Sequence, residues 1–88
     1  MEKHMEILFD SRIEEYFFRD PINGDNSDRE LSKYFNISQK KYIKLIEKYG
    51  AVSNPGGWNH SFINKEDCEK FLNSDEIIAS LMLKKLTE

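Results

Sequence analysis

The stretch FNISQKKYIKLIEK, residues 35–48, holds four lysines and one glutamate in a chain of 88 residues whose formal net charge is −3. It lies in a basic segment, since residues 31–50 carry five positive charges and one negative charge. Residues 1–30 carry four positive and nine negative charges, and residues 51–88 carry four and six. Lysines gathered in this way either solvate an ordinary amphipathic helix or form the reading surface of a nucleic-acid-binding motif.

A short helix is predicted immediately before this stretch. Residues 27–30, SDRE, fit a capping box, in which the serine hydroxyl accepts from the third helical N–H and the glutamate reaches back to the cap. The helix begins at residue 28 and runs through DRELSKYF, burying Leu31 and Phe35. Asn36 tolerates the left-handed conformation that can close a helix, and Ser38 is a good N-cap for the next one.

The second helix, QKKYIKLIEKY, ends at Gly50, which suits the left-handed position just past a helix. Its inward residues are Tyr42, Leu45, Ile46 and Tyr49. Its four lysines fall on the opposite face. The sequence therefore predicts two helices separated by a three-residue turn, the second of which is basic.

A hairpin and two further helices are predicted after Gly50. The turn signal NPGG is flanked by residues 51–53 and 58–63, which read as two strands. Asn64 caps a helix over KEDCEKFLN, with Phe71 and Leu72 inward. Ser74 caps a last helix, DEIIASLMLKKL, whose lysines near its end suit the negative pole of the helix dipole.

Residues 5–19 have the spacing of an amphipathic helix, with Phe9, Ile13, Tyr16 and Phe17 on one face. We predict a first helix here, although the opening MEILF is also compatible with a short strand. Residues 20–27, DPINGDNS, are rich in turn formers and predict a loop. The expected fold class is mostly α with a small β-hairpin, in one domain over residues 1–88.

Several classes of function are not expected from this composition. With one cysteine, Cys68, and two histidines, His4 and His60, the chain has no metal-site spacing, and Cys68 is expected to pack at or near the core. No nucleophile triad, paired carboxylates or Gly-rich phosphate loop can be assembled, so we expect no enzyme activity and no cofactor. The longest near-apolar run, residues 77–83, is too short to cross a membrane, and the start of the chain lacks a signal peptide. We expect a cytoplasmic location.

Residues 30–50, ELSKYFNISQKKYIKLIEKYG, resemble the helix-turn-helix of excisionase-like and MerR-type DNA-binding domains. The apolar positions of that motif are filled by Leu31, Phe35, Ile37, Tyr42 and Leu45. Ser32 occupies its small position, and Asn36 replaces its usual turn glycine. The segment FINKEDCEKFL, residues 62–72, is similar to the aromatic-led entry into the helix that follows the family's hairpin. The resemblance covers residues 28–72 and implies a winged helix-turn-helix, with the motif at 28–49, the wing hairpin at 51–63 and further helices at 64–86.

The resemblance also implies which residues contact double-stranded DNA. The second helix would read bases in the major groove through Gln39, Lys40, Ile43 and Lys44. Lys41, Lys48, Arg29 and Lys33 would contact phosphates. Asn59 and His60 on the wing could touch sugar or phosphate, whereas Trp58 is expected to cover the core. Ile43 is equally compatible with the edge of the core, and the lysines with simple solvation.

The wing NPGGWNHS lacks the cations that this family often carries there, which predicts weak binding by one copy. The C-terminal helix places Ile77, Ile78, Leu81, Met82 and Leu86 on a broad apolar face that could form a homodimer or pack within the monomer. The function expected is that of an excisionase or transcription regulator, with a recombinase or other nucleic-acid enzyme as a partner. The alternative is a protein-binding module that uses an acidic N-terminal helix to bind or inhibit a nucleic-acid enzyme.

Overall fold

Two helices joined by a short turn form where the sequence predicts them. The computed structural model describes residues 5–87, with the backbone alone at Thr87, and His4 lies outside these residues. Helix α1 spans Asp28–Tyr34 and helix α2 spans Gln39–Lys48. The turn between them holds Asn36 at a φ of 59°, the left-handed conformation that closes α1.

Side chains cap both helices at their N-termini. The Ser27 hydroxyl accepts a hydrogen bond from the Glu30 N–H, and the Ser38 hydroxyl accepts one from the Lys41 N–H. The other half of the predicted capping box is wrong. The Ser27 N–H donates to the Asp25 carboxylate at 2.9 Å, and the Glu30 carboxylate accepts from Lys33 at 3.4 Å. The Asp25 carboxylate, two residues before Ser27, therefore accepts the hydrogen bond from the Ser27 N–H that the capping box predicts for Glu30.

The N-terminal segment is a β-hairpin, so the predicted helix over residues 5–19 is wrong and the strand alternative for its opening is correct. Strand β1 spans Glu6–Asp10 and pairs antiparallel with β2, Glu15–Arg19. Glu14 takes a φ of 54° in the turn between them. Phe9 and Tyr16 were expected on one face of the predicted helix. They pair instead across the two strands, with ring centroids 5.0 Å apart.

A second, shorter hairpin follows α2, as predicted. Gly50 adopts a φ of 106° just beyond the helix. Strand β3, Val52–Ser53, then pairs with β4, His60–Ser61. Backbone hydrogen bonds in both directions between Tyr16 and Phe62, at 2.7 and 2.6 Å, join the two hairpins.

Two helices complete the described chain, α3 at Lys65–Leu72 and α4 at Asp75–Thr87. Asn64 holds the N-cap position of α3, but its side chain makes no capping hydrogen bond. The Ser74 hydroxyl, expected to cap α4, donates instead to the Phe71 carbonyl at 2.7 Å. Lys84 and Lys85 lie in the last turn of α4, as predicted.

One aromatic-rich core joins these elements. Phe18, Phe35, Phe62 and Phe71 are buried together with Tyr42, and their rings lie 5.4 to 6.4 Å apart in tilted, edge-to-face and, for Phe35 and Tyr42, stacked pairs. Leu31, Leu45, Ile46, Cys68 and Ile77 are also buried in this cluster. The fold class is therefore α+β, with four helices and two antiparallel hairpins among residues 5–87. No helix in this range is long and apolar enough to span a bilayer.

Candidate nucleic-acid interface

Helix α2 presents four lysines to solvent. We call Lys40, Lys41, Lys44 and Lys48 the lysine face, and all four are exposed. Three of them recur every fourth residue, which places them in one row about 12 Å long. The opposite side of α2 carries Tyr42, Leu45 and Ile46 into the core. Core packing thus fixes which way the lysines point.

The charge of the lysine face is little neutralised by the protein itself. Within residues 5–87, the ion pairs with N–O distances up to 4.0 Å include none at Lys40, Lys41 or Lys44. The ammonium of Lys48 lies 5.9 Å from the ring centroid of Tyr49. Glu47 is the one carboxylate on α2, and it is held by His60 at 3.0 Å. A positive strip therefore faces water on an acidic chain.

Residues at the two edges of α2 differ in accessibility. Gln39, at its first turn, is exposed. Ile43 is half-buried and packs against the core. This supports the expectation that Ile43 lies at the edge of the core, and not the alternative that it is freely exposed. On α1, Arg29 is exposed and Lys33 is paired with Glu30 at 3.4 Å.

The second hairpin offers different residues from those expected. His60 is buried, so its imidazole does not lie on the surface where a phosphate could reach it. Asn59 is half-buried, and its side-chain oxygen accepts from the Asn54 amide at 3.1 Å. Trp58, expected in the core, is 56% exposed. The core is filled there by Phe62 instead, which is fully buried and contacts Phe18 and Phe71.

A buried imidazole fixes the second hairpin to both helices. His60 Nδ1 lies 2.8 Å from Oδ2 of Asp28, the first residue of α1, and its Nε2 lies 3.0 Å from the carboxylate of Glu47 near the end of α2. The side chains of His60 and Asp28 are 3% and 1% exposed. The Asp28 N–H also donates to the Trp58 carbonyl at 2.9 Å. These hydrogen bonds of His60 and Asp28, which we call the His60 brace, hold the second hairpin, α1 and α2 in one arrangement.

Burial raises the pKa of the Asp28 carboxyl above its usual 3.8, and the nearby His60 opposes that rise. A carboxylate in this position is costly unless it is paired. His60 supplies the pair, which explains why the hairpin histidine points inward rather than into solvent.

Sequence reasoning missed these bracing residues. It placed Asp28 at the start of a helix and gave Glu47 no role, and neither position indicates a partner on a distant hairpin. A second brace was also missed: the Ser61 hydroxyl lies 2.7 Å from Glu15 and 3.1 Å from the Asn54 amide oxygen. The available signal was a histidine shortly after the turn of the second hairpin, and that position does not identify a partner.

No group of three or more His, Cys, Asp or Glu side chains within residues 5–87 is arranged to hold a metal ion. Comparisons with protein-family models, with curated proteins and with solved structures find no match to this chain.

Proposed function

We propose that the protein binds double-stranded DNA, with α2 in the major groove and the second hairpin beside it as the wing of a winged helix-turn-helix. The observation that carries this proposal is the lysine face: four exposed lysines on one helix of a chain with a net charge of −3. Phosphate neutralisation by such cations supplies most of the affinity of proteins for DNA.

The chemistry of the exposed groups suits both kinds of contact. Gln39 can pair with adenine, and Lys40 and Lys44 can reach the acceptors of guanine. Lys41 and Lys48, with Arg29 and Lys33 on α1, can contact phosphates and set the register. Ile43 contributes less than an exposed residue would, since half of its side chain already packs in the protein.

The rigid support of α2 favours the same function. A helix that reads bases must be held in a fixed orientation. Here α2 is held by its packing in the core, by the left-handed turn at Asn36 and by the contact of Glu47 with His60. Trp58 adds an exposed aromatic ring on the hairpin, where it can pack on a sugar. The hairpin therefore offers an apolar contact in place of the missing cations.

The alternative function, a protein-binding module working through its acidic N-terminal segment, has weaker support. That segment is a hairpin and a loop rather than a helix. Six of the eight acids described between residues 5 and 30 already have partners within the protein, and two of the six are buried. The six are Asp10, Glu15, Asp20, Asp25, Asp28 and Glu30. Glu6 and Glu14 are left as exposed acids without such partners, a small surface for recognising a basic protein.

The biological role within DNA binding rests on the resemblance of residues 28–72 to excisionase-like and MerR-type domains. It assigns the protein to DNA recombination or transcription regulation, with a recombinase as one partner.

Fluorescence anisotropy of a labelled mixed-sequence duplex, titrated with protein at several salt concentrations, tests the proposal. We expect affinity that falls steeply with salt and is lost in the K40E/K44E double variant. The matched control is K65E/K70E on α3, which makes the same change in net charge at exposed positions away from α2.

The control variant should keep most of the affinity, because its lysines lie outside the proposed interface. Equal loss in both variants would show that net charge alone governs binding, and undetectable binding of the unaltered protein at low salt would refute the proposal. The chain has a single tryptophan, so the emission of Trp58 also reports whether the hairpin approaches DNA.

A further inference from the structure

Helix α4 is apolar on two sides, and one of those sides packs on the rest of the protein. Ile77 is buried in the core and Leu81 packs against it. The Lys84 ammonium extends the packed side, donating to the Tyr34 carbonyl at 2.9 Å. These three residues follow one another at four- and three-residue spacing, as expected for one helix face.

The other side of α4 is exposed. Ile78, Met82, Leu83 and Leu86 form what we call the outer face, and Met82 and Leu86 are 60% and 82% exposed. Ile78, Met82 and Leu86 recur every fourth residue, so they lie in a continuous row. A contiguous exposed row of large apolar side chains on a protein surface often marks an interaction site. The outer face therefore has the composition of a surface that is covered.

The charges along α4 indicate which partner covers it. Asp75 and Glu76 lie in its first turn and Lys84 and Lys85 in its last. Two α4 helices aligned antiparallel and centred on Ser80 bring residue 75 of one level with residue 85 of the other, and residue 78 level with residue 82. In that register each acidic end meets a basic end, and the apolar rows meet between them.

We infer that the outer face of α4 binds a second copy of this chain, in an antiparallel pair with two-fold symmetry. Such an interface is self-complementary: Asp75 of each copy meets Lys85 of the other, and Ile78 meets Met82. This inference does not depend on DNA binding, since it rests on α4 alone. It adds a partner, a second copy of the chain, that the lysine face does not require.

Sedimentation velocity over a wide range of protein concentration measures the association. We expect a species of twice the mass of one chain that dissociates on dilution. The M82E variant, which puts a charge opposite Ile78 of the partner, should remain monomeric at concentrations at which the unaltered protein is paired. Because Met82 is exposed in the monomer, the helix content of this variant should be unchanged.

A charge swap tests the antiparallel register. D75K and K85D each place like charges opposite one another and should weaken association at least several-fold, whereas the D75K/K85D double variant should restore it. E66K and K70D on α3 are matched controls, since both positions are exposed and lie on another helix. They should leave association unchanged.

Two results would overturn the inference. One is a monomer at every concentration, which would leave the outer face to a different partner. The other is association that M82E leaves intact or that the double swap fails to restore, which would place the interface elsewhere or in another register. Failure of DNA binding in the K40E/K44E test would leave these measurements unaffected.

Discussion

Tyr42 carries a hydroxyl into the aromatic core, and no protein group within residues 5–87 forms a hydrogen bond with it. A buried polar group without a partner costs about 1–3 kcal/mol. We therefore expect Y42F to raise the free energy of unfolding by about 1 kcal/mol, measured by urea denaturation. A loss of similar size would show that the hydroxyl is hydrogen-bonded in solution.

The Y42F substitution should also change how the free energy of unfolding depends on pH. Burial raises the pKa of the Tyr42 phenol well above its usual 10.0. The unfolded chain therefore ionises at lower pH than the folded one, and stability is lost as pH rises above about 10. Y42F should lessen this alkaline loss, and L45A, which removes a neighbouring buried side chain without a titrating group, should not.

Cys68 is the one thiol of the chain, and it is fully buried on α3 as the sequence predicted. Burial raises its pKa from 9.0 to about 12. Because the thiolate is the reactive form, iodoacetamide should modify the native protein far more slowly than the protein unfolded in urea. The folded state also keeps its proton above pH 9, so this group's contribution to stability is full below pH 9 and is lost toward pH 12.

Mass spectrometry of samples quenched at intervals measures the alkylation. The native rate should follow the fraction of unfolded protein as urea is raised. A native rate equal to the unfolded one would mean that α3 does not shield the thiol.

At the scale of elements, the His60 brace links the second hairpin to α1 and α2. H60A leaves the buried Asp28 carboxylate without its partner, and we expect it to lower the free energy of unfolding by about 3 kcal/mol. The loss should become smaller as pH falls, since the raised pKa lets Asp28 become neutral at a higher pH than an ordinary aspartate.

Two further variants separate the partners of His60. E47Q should cost less than about 1 kcal/mol, because the Glu47 side chain is 51% exposed. D28N/H60A should be more stable than the sum of its single variants predicts, with a coupling of about 1–3 kcal/mol. Additive effects would mean that Asp28 and His60 do not interact.

The elements that were predicted correctly are those that local chemistry determines. Ser27 and Ser38 cap their helices, Asn36 makes the left-handed turn, and Gly50 ends α2, all within a few residues of the groups they satisfy. Each of these interactions joins residues that lie close together in the sequence. The two-helix unit and the direction of its lysine face could therefore be predicted.

The N-terminal hairpin could not be predicted so readily, because its stability comes from distant partners. Phe9, Ile13 and Tyr16 have helical spacing, but Phe18 is the residue that fills the core, against Phe35 and Phe62. Tyr16 also pairs with Phe62 across 46 positions of the chain. The orientation of His60 and the exposure of Trp58 were missed for the same reason, since both depend on which residues meet in the core.

The hairpin assignment can be checked by truncating two of its phenylalanines. F18A should lower the free energy of unfolding by about 3–5 kcal/mol, because Phe18 is fully buried. F9A should cost about 1 kcal/mol or less, because Phe9 lies half in solvent on β1. A helix over residues 5–19 would have the reverse order, since its inward face carries Phe9.

At the scale of the whole molecule, DNA binding and pairing through α4 have a joint consequence. One copy offers four cations for phosphate contacts, Arg29, Lys33, Lys41 and Lys48, which predicts a slope of about −4 in log affinity against log salt concentration. Two copies on a duplex with two sites, about one helical turn apart, would double that slope. M82E should return the slope to the single-copy value while keeping the lysine face intact, and K40E/K44E should abolish DNA binding with or without M82E. Equal slopes for M82E and the unaltered protein on the two-site duplex would show that the two copies bind without forming the α4 pair.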